Sequence, residues 1–343
     1  SGGEFCYARG GRYAGRRGPD VFDKVIRVKT NVVELLRKEL CKLEPDIITC
    51  GDWQQPAEKR YGLSRKMLEV VLEFGFPLVI IERSPLLTRD LDLLQEINRK
   101  AHVGVILSFS NVDPALKRAF EPRSPGLKQR LGAMAALAEA GIQVGAAFMP
   151  IIPFLGDSEQ QLDDAIRAFV DHGGSFVIGA GLTMEGEQAR RTLAAGCGLE
   201  PAFERRLRLL YDWDEDGAPE HGPAPAYATK LSLRVRGLCG KHGIPDRMPR
   251  PIIPGPLAIN KRIAERLFLR VCDLELEQAD QRRIWAYRRG AWTVDEWPES
   301  VGEMFRTRGE AGLRELPGIG RSLSGLIASW MREEPGIVPD RRL

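Results

Sequence analysis

The sequence contains no run approaching the ~18 uninterrupted apolar residues that span a bilayer, and its first residues hold no apolar signal-peptide core. A membrane or secreted protein is therefore not expected; a soluble, cytoplasmic one is. Charge of one sign is lacking too, since 50 basic against 47 acidic side chains leave a formal net charge of +3. Any surface for nucleic acid must then be local. Six cysteines, Cys6, Cys41, Cys50, Cys197, Cys239 and Cys272, are scattered through 343 residues, unlike the dense framework of a small disulfide-bonded domain. His102, His172, His221 and His242 have no zinc-like spacing with cysteine, and WDEDG at Trp213 to Gly217 has too few ligands for a calcium loop. No long internal repeat is present. What the chain does have is apolar content, 43% against 28% charged, enough for a large core and for two domains.

Strand and helix patterns alternate from Val25 to about Ile178. Apolar runs predict strands at Pro45 to Cys50, Pro77 to Ile81, Val103 to Phe109, Val144 to Met149 and Ser175 to Ile178. Amphipathic helices are predicted between them, at Asn31 to Leu43, Ser64 to Phe74, Arg89 to Ala101, Gly126 to Ala140 and Ser158 to Asp171. Gly141 and Gly173-Gly174 supply helix stops. Doubly buried strands each followed by a helix argue for an α/β fold of parallel units, a partial (β/α) TIM-like barrel over residues 1–200. In such a barrel Cys50 to Asp52, Arg83-Ser84, Ser108 to Asn111 and Met149-Pro150 meet at the C-terminal mouth.

Residues 201–256 change character. An acidic, Pro/Gly-rich stretch, DWDEDGAPEHGPAPAYA, gives way to a basic helix from Lys230 to His242 and then to PDRMPRPIIPGP, with five prolines in twelve residues. That segment suits neither helix nor central strand, so 201–256 is expected to be a helical extension and Pro-rich linker. The remainder, 257–343, reads as a small all-α domain broken at Trp297-Pro298, at Arg308-Gly309 and at Leu316 to Gly320.

Two motifs carry chemistry. EFCYAR, at Glu4 to Arg9, places Cys6 directly after aromatic Phe5 and before Tyr7, in a loop ahead of the first βα unit. A packing cysteine has the same look. The stretch is similar to the closing part of the CxxxCxΦC signature of radical S-adenosylmethionine enzymes. GDWQQPAEKRYGLSRKMLEVVLEF, IIERSPLLTRDLDLL, SFSNVDPALKRAFEPRSPGLKQRLGAMAALAEAGIQV and MPIIP follow in order with similar spacing, and KHGIPDRMPR adds a later match. On these segments, strongest from Glu4 to Pro153, the chain resembles the DNA-repair photolyase or spore photoproduct lyase-like group of radical S-adenosylmethionine enzymes.

That resemblance implies a [4Fe–4S] cluster with Cys6 as a ligand, three thiolates leaving one iron open for S-adenosylmethionine, and an external electron donor. It implies Phe5, Tyr7, Asp52, Arg83, Ser84, Ser108, Ser110 and Asn111 around the cofactor. Arg83 would face the methionine carboxylate and the serines and Asn111 the ribose, although small polar residues also simply end strands. Asp52, Gln55, Pro56 and Glu58 match the group's D-x-x-Q-P-x-E pattern, where a capped turn is the plainer account. Glu121 and Arg123 would form an internal ion pair shaping the site. Cys50 would return a hydrogen atom to a product radical, or else merely pack. The departure from the group is at Gly3, which occupies the second cysteine position. The expectation is a truncated or differently spaced motif; the alternative is a lost cluster.

The second motif is LRELPGIGRSLSGLI, at Leu313 to Ile327, in which Leu-Pro-Gly-Ile-Gly joins two helices. Glycines there let backbone N–H groups approach a phosphate; the plainer account is that they serve only the turn. With NKRIAERLFLRVCDLELEQADQRRIWAYRRGAW ahead of it, the stretch resembles the helix-hairpin-helix N-terminal domain of family X DNA polymerases. Phosphate contacts, most naturally to DNA, are implied for Arg288, Arg289, Gly318, Gly320, Arg321 and Ser322. The Schiff-base lysine of some such polymerases is matched by Leu326, so lyase activity is not implied. Together the two resemblances imply a radical enzyme acting on DNA; modification of RNA or protein, or a non-catalytic DNA-binding protein, are the alternatives.

Overall fold

Parallel strands of the most apolar runs build the first part of the protein. In the computed structural model, which describes residues 2–9, 24–213, 222–252 and 254–333, β1 (Ile48–Gly51), β2 (Leu78–Glu82), β3 (Val103–Phe109), β4 (Gln143–Ile151) and β5 (Val177–Gly181) form one five-stranded parallel sheet in chain order. The predicted acidic stretch at 214–221, with His221, lies outside the described residues. The longer helices before and between the strands are α1 (Val32–Leu40), α2 (Leu63–Phe74), α3 (Leu91–Lys100), α4 (Pro114–Phe120), α5 (Leu127–Glu139) and α6 (Glu159–Asp171). Then follow α7 (Gly186–Cys197), α8 (Phe203–Leu210) and α9 (Pro225–Lys241).

Both faces of the sheet carry apolar side chains, which is why the strands read as continuous apolar runs. Leu78, Ile80, Val103, Val105, Leu107, Val144, Ala146 and Phe148 pack under the helices. Val79, Ile106, Ala147 and Phe176 pack on the other face with Ile47, Met149, Ile178 and Met248. Alternation of side chains along a strand makes this division.

Two of these helices were not predicted. α4 starts where the Asp113 carboxylate accepts the N–H groups of Ala115 (2.6 Å) and Leu116 (3.1 Å), with Pro114 at the first helical position. α7 begins at Gly186, whose φ of +45° suits glycine. The last strand runs past its predicted end, because Gly179 and Gly181 let Val235 and Leu231 of α9 lie directly on it. Residues 222–249 therefore pack on the sheet. Val177 N–H donates to Pro245 C=O (3.1 Å), and Met248 reaches the inner layer beneath Gly104.

The chain divides into two compact units, Ser1–Pro249 and Arg250–Leu343. The second contains α10 (Ala258–Leu276), α11 (Gln281–Glu296), α12 (Val301–Leu313) and α13 (Arg321–Glu333) around Ile263, Leu267, Ala291, Val294, Leu313, Ile327 and Ala328. Buried Asn260 pins the break at Trp297-Pro298: its Nδ2 donates to the carbonyls of Trp297 (3.1 Å) and Glu299 (2.9 Å), and its Oδ1 accepts from Val301 N–H (2.9 Å). The expected break at Arg308-Gly309 is a kink inside α12, where Gly309 has φ +61° and ψ −153°.

The inner layer has no room at Gly145, where an added Cβ would lie 2.6 Å from three ring carbons of Phe176. Gly145→Ala is expected to destabilise the first unit by about 1–3 kcal/mol, the usual size of an overpacking penalty, read as a lower urea midpoint with unchanged slope.

Candidate functional site

The polar residues at the C-terminal ends of β2 and β3 are organised around two buried carboxylates. Glu82, the last residue of β2, accepts the N–H groups of Gln54 (3.1 Å), Arg83 (2.9 Å) and Ser84 (3.2 Å). Burial raises its carboxyl above the ordinary range, against the pull of those three donors. Glu121, at the end of α4, has no exposed side-chain surface and is held by Arg83 on one oxygen and Arg130 Nη2 on the other (2.6 Å). Arg130, fully buried in α5, also donates to Ser108 C=O (2.8 Å) and lies over the Phe109 ring at 4.9 Å. Burial pulls the Arg130 guanidinium below its ordinary pKa and Glu121 opposes that.

The N-terminal segment docks onto this network. The Arg83 guanidinium stacks over the Phe5 ring, 5.5 Å from its centre. Glu4 N–H donates to Phe120 C=O (2.8 Å), and its carboxylate accepts from Arg191 Nε (2.6 Å) and Arg123 Nη2 (3.4 Å). Phe5 is buried among Leu116, Phe120, Leu182 and Met184. Cys6 is buried beside it, and Tyr7, 61% exposed, begins a short 3-10 turn.

Several sequence-based assignments change here. Glu121 and Arg123 do not pair with each other: Glu121 is taken by Arg83 and Arg130, and Arg123 reaches Glu4. Arg83 therefore meets any ligand with its guanidinium already engaged by a carboxylate. Cys50 is placed with the helix-packed residues, opposite Ile80 in the ladder, and its Sγ is 3.9 Å from Val79 C=O. Thr49 and Gly51 occupy the exposed alternate positions. Burial pushes the Cys50 thiol up to about 12, with the Glu82 charge adding, so the group stays a protonated thiol. Ser84 uses its hydroxyl to cap the 3-10 helix Pro85–Asp90, accepting from Leu86 N–H. Ser110 and Asn111 are both buried and bonded to each other (2.9 Å), with Asn111 Oδ1 lacking a partner among the described residues. Asn111 also lines a cavity of about 240 Å³ that includes none of Cys6, Asp52 and Arg83.

In the Q-P-x-E stretch, Glu58 accepts the N–H and hydroxyl of Ser64 (both 2.8 Å) and so starts α2, with Arg89 at 3.4 Å. Gln55 Nε2 donates to Asp52 C=O (2.8 Å). The turn reading covers both residues. Asp52 itself has φ +53°, an uncommon conformation for a residue other than glycine, and its side chain is exposed at the end of β1. Glu82, Gln54 and Arg130 were missed from the sequence; an acid closing an apolar strand and an arginine on a buried helix face were the available signals.

A [4Fe–4S] cluster with one open iron needs three thiolates. Cys6 is the single cysteine of residues 2–9, and among the described residues no three His, Cys, Asp or Glu side chains converge on a metal-sized site. The described residues therefore do not complete a cluster.

No protein-family model matches the chain. Uncharacterized proteins of Mycobacterium tuberculosis and Mycobacterium bovis are each 31% identical over 238 residues, covering 67% of this chain and 68% of theirs. In fold the chain is similar to a doubly substituted spore photoproduct lyase with bound AdoMet and dinucleoside spore photoproduct, at TM-score 0.51 and 16% identity over 70% of each chain.

Removing the Glu121 carboxylate would leave the buried Arg130 guanidinium and the half-buried Arg83 guanidinium without their counter-charge. Glu121→Gln is expected to cost about 3–5 kcal/mol in equilibrium unfolding. A loss under about 0.5 kcal/mol, within the range of ordinary surface substitutions, would show that Arg83 and Arg130 find other partners.

Proposed function

We propose that this chain, which belongs to the family of the two mycobacterial proteins, is a radical S-adenosylmethionine enzyme that acts on nucleic acid, with DNA the favoured substrate. The observation that carries the reading is the docking of the EFCYAR segment, through Phe5 on Arg83 and Glu4 on Phe120, against the C-terminal ends of parallel strands. There the sheet is read as the wall of a partial barrel, whose strand ends are the usual place for chemistry. The likeness to a lyase bound to AdoMet and a dinucleoside lesion supports the same class of cofactor and substrate.

Asp52 and Ser108 are the residues best placed for polar contact with a cofactor. Asp52 directly follows β1 and Ser108 is the last but one residue of β3, and among the described residues neither side chain is committed to a cap or to a buried pair. Arg83 serves as a positioning residue, fixing Phe5 and with it the Cys6 segment. One thiolate is a third of a ligand set, so no reaction step is assigned to these residues. Gly3 favours a second reading, a nucleic-acid-binding protein with a degenerate cluster site. Protein expressed from the complete gene and reconstituted without oxygen is expected to hold about four irons and to cleave S-adenosylmethionine when reduced. Iron below one per chain, with DNA binding retained, would select the second reading.

The second unit is read as a helix-hairpin-helix module. Gly318 has φ +78°, and neither Gly318 nor Gly320 has an atom within 4 Å of where a Cβ would stand, which leaves the turn open to a phosphate. Arg321 and Ser322 open α13 immediately after it. Gly290 of α11 packs on Ile319 and Leu323, placing exposed Arg289 beside the hairpin, whereas Arg288 pairs with Glu275. Duplex binding by the whole chain is expected to weaken with salt, and Arg321→Ala to flatten the log–log slope by about one unit. Replacing Gly318 and Gly320 together by Val should lower affinity at every salt concentration. A salt slope unaltered by Arg321→Ala would remove the hairpin from the DNA contact.

A further inference from the structure

Helix α11 has two unlike faces. Ile284, Gly290, Ala291 and Val294 are buried toward the other helices. Opposite them, Trp285, Arg288, Arg289 and Trp292 follow the i, i+3, i+4, i+7 spacing that puts side chains in one row on a helix. The two tryptophans are 45% and 44% exposed, an unusual condition for the largest apolar side chain, and the two are neighbours, with ring centres 6.2 Å apart and planes inclined at 60°. The Arg288 guanidinium lies 4.8 Å from the centre of the Trp285 ring and is held there by Glu275.

Most of the charge along this helix has one sign, with Glu275 beside Arg288 and Asp295 and Glu296 at the helix end as the exceptions. From Gln281 to Val294 the helix carries Arg282, Arg283, Arg288 and Arg289 and no acidic residue. Arg282, Arg283 and Arg289 are exposed and show no ion pair among the described residues. An apolar protein partner would not call for this density of cations, and an undistorted duplex presents the edges of its bases rather than their faces. An unpaired strand offers both things the face can use, π-faces for the indoles and phosphates for the arginines.

We propose that the exposed face of α11 is a stacking platform for an unpaired nucleic-acid strand, with bases on Trp285 and Trp292 and phosphates on Arg282 and Arg289. The proposal rests on the nucleic-acid reading given above and adds the strandedness of the partner and the residues that read it. Arg288, stacked on one indole and paired with Glu275, stiffens Trp285 rather than meeting phosphate.

The test uses the whole chain with three probes of equal length: single-stranded oligothymidylate, a random-sequence duplex, and an abasic deoxyribose-phosphate strand. Trp285→Ala and Trp292→Ala are each expected to weaken oligothymidylate binding about ten-fold, the scale of one stacked base, with duplex affinity and the salt slope unchanged. Trp285→Phe should restore most of the loss, and the wild type should bind the abasic strand as weakly as the alanine variants bind oligothymidylate. Both tryptophans are solvent-exposed, so a thermal midpoint within a few degrees of the wild type verifies that each variant is folded. Equal affinity of the wild type for the abasic strand and oligothymidylate, or alanine variants that bind oligothymidylate normally, overturns the platform. Duplex binding retained in that case leaves the nucleic-acid function standing; loss of all three probes removes both.

Discussion

A carboxylate with no exposed surface persists in a protein only where cations and donors replace the water it has lost, and Glu121 meets that condition through Arg83 and Arg130. The consequences spread because each partner is bound to something else. Arg130 ties α5 to the carbonyl of Ser108 at the end of β3. Arg83 follows the last residue of β2 and lies on Phe5. One carboxylate with its two ion pairs thus holds the end of α4, two strand ends, a neighbouring helix and the N-terminal segment in a single arrangement. Hydrophobic packing of the sheet alone would leave these polar ends free to shift. Glu82, chelating three backbone N–H groups one residue before Arg83, fixes the turn from which that arginine projects.

The secondary structure of the first unit was legible because its strands are apolar runs punctuated by amphipathic helices, and the ends differ by only a few residues from the expected ones. Which face a strand residue occupies was not legible. Strands buried on both sides show no polar–apolar alternation, so nothing in Ile47 to Gly51 says that the Cys50 thiol lies under the helices while Thr49 and Gly51 lie on the other side. Partner choice among charges was equally hidden. Glu121 and Arg123 are two residues apart, but a buried network selects by geometry, and Arg83 and Arg130 reach Glu121 from elements distant in sequence.

The helix starts at α4 and α7 went unread for different reasons. The Asp113-Pro114 pair is a local capping signal that the sequence carries, whereas α7 opens after Glu185 without a side-chain cap and draws its support from packing, with Ala189 and Leu193 against Phe5, Phe120 and Phe203. In the second unit the breaks coincide with Pro298, Gly309 and Gly318, residues whose backbone constraints act locally and can be read from sequence. The row of Trp285, Arg288, Arg289 and Trp292 could have been found from spacing alone. That it faces solvent could not, since the same spacing describes a buried stripe.

The two surfaces proposed for the second unit differ in what they can distinguish. Phosphate contacts at a glycine hairpin act on any strand, paired or not, and supply affinity that salt erodes. Indole faces act only on bases out of the duplex, and salt scarcely touches them. Taking a base out of its stack costs a few kcal/mol, and a site that chemically alters a base must meet that cost before any reaction can begin. Stacking returns about 1–3 kcal/mol per base, so two exposed tryptophans on a stiff helix are of the right size to offset it. A protein with the hairpin alone would bind duplex DNA without opening it. One with Trp285 and Trp292 as well would favour the strand already open, which is the form of substrate that base chemistry requires.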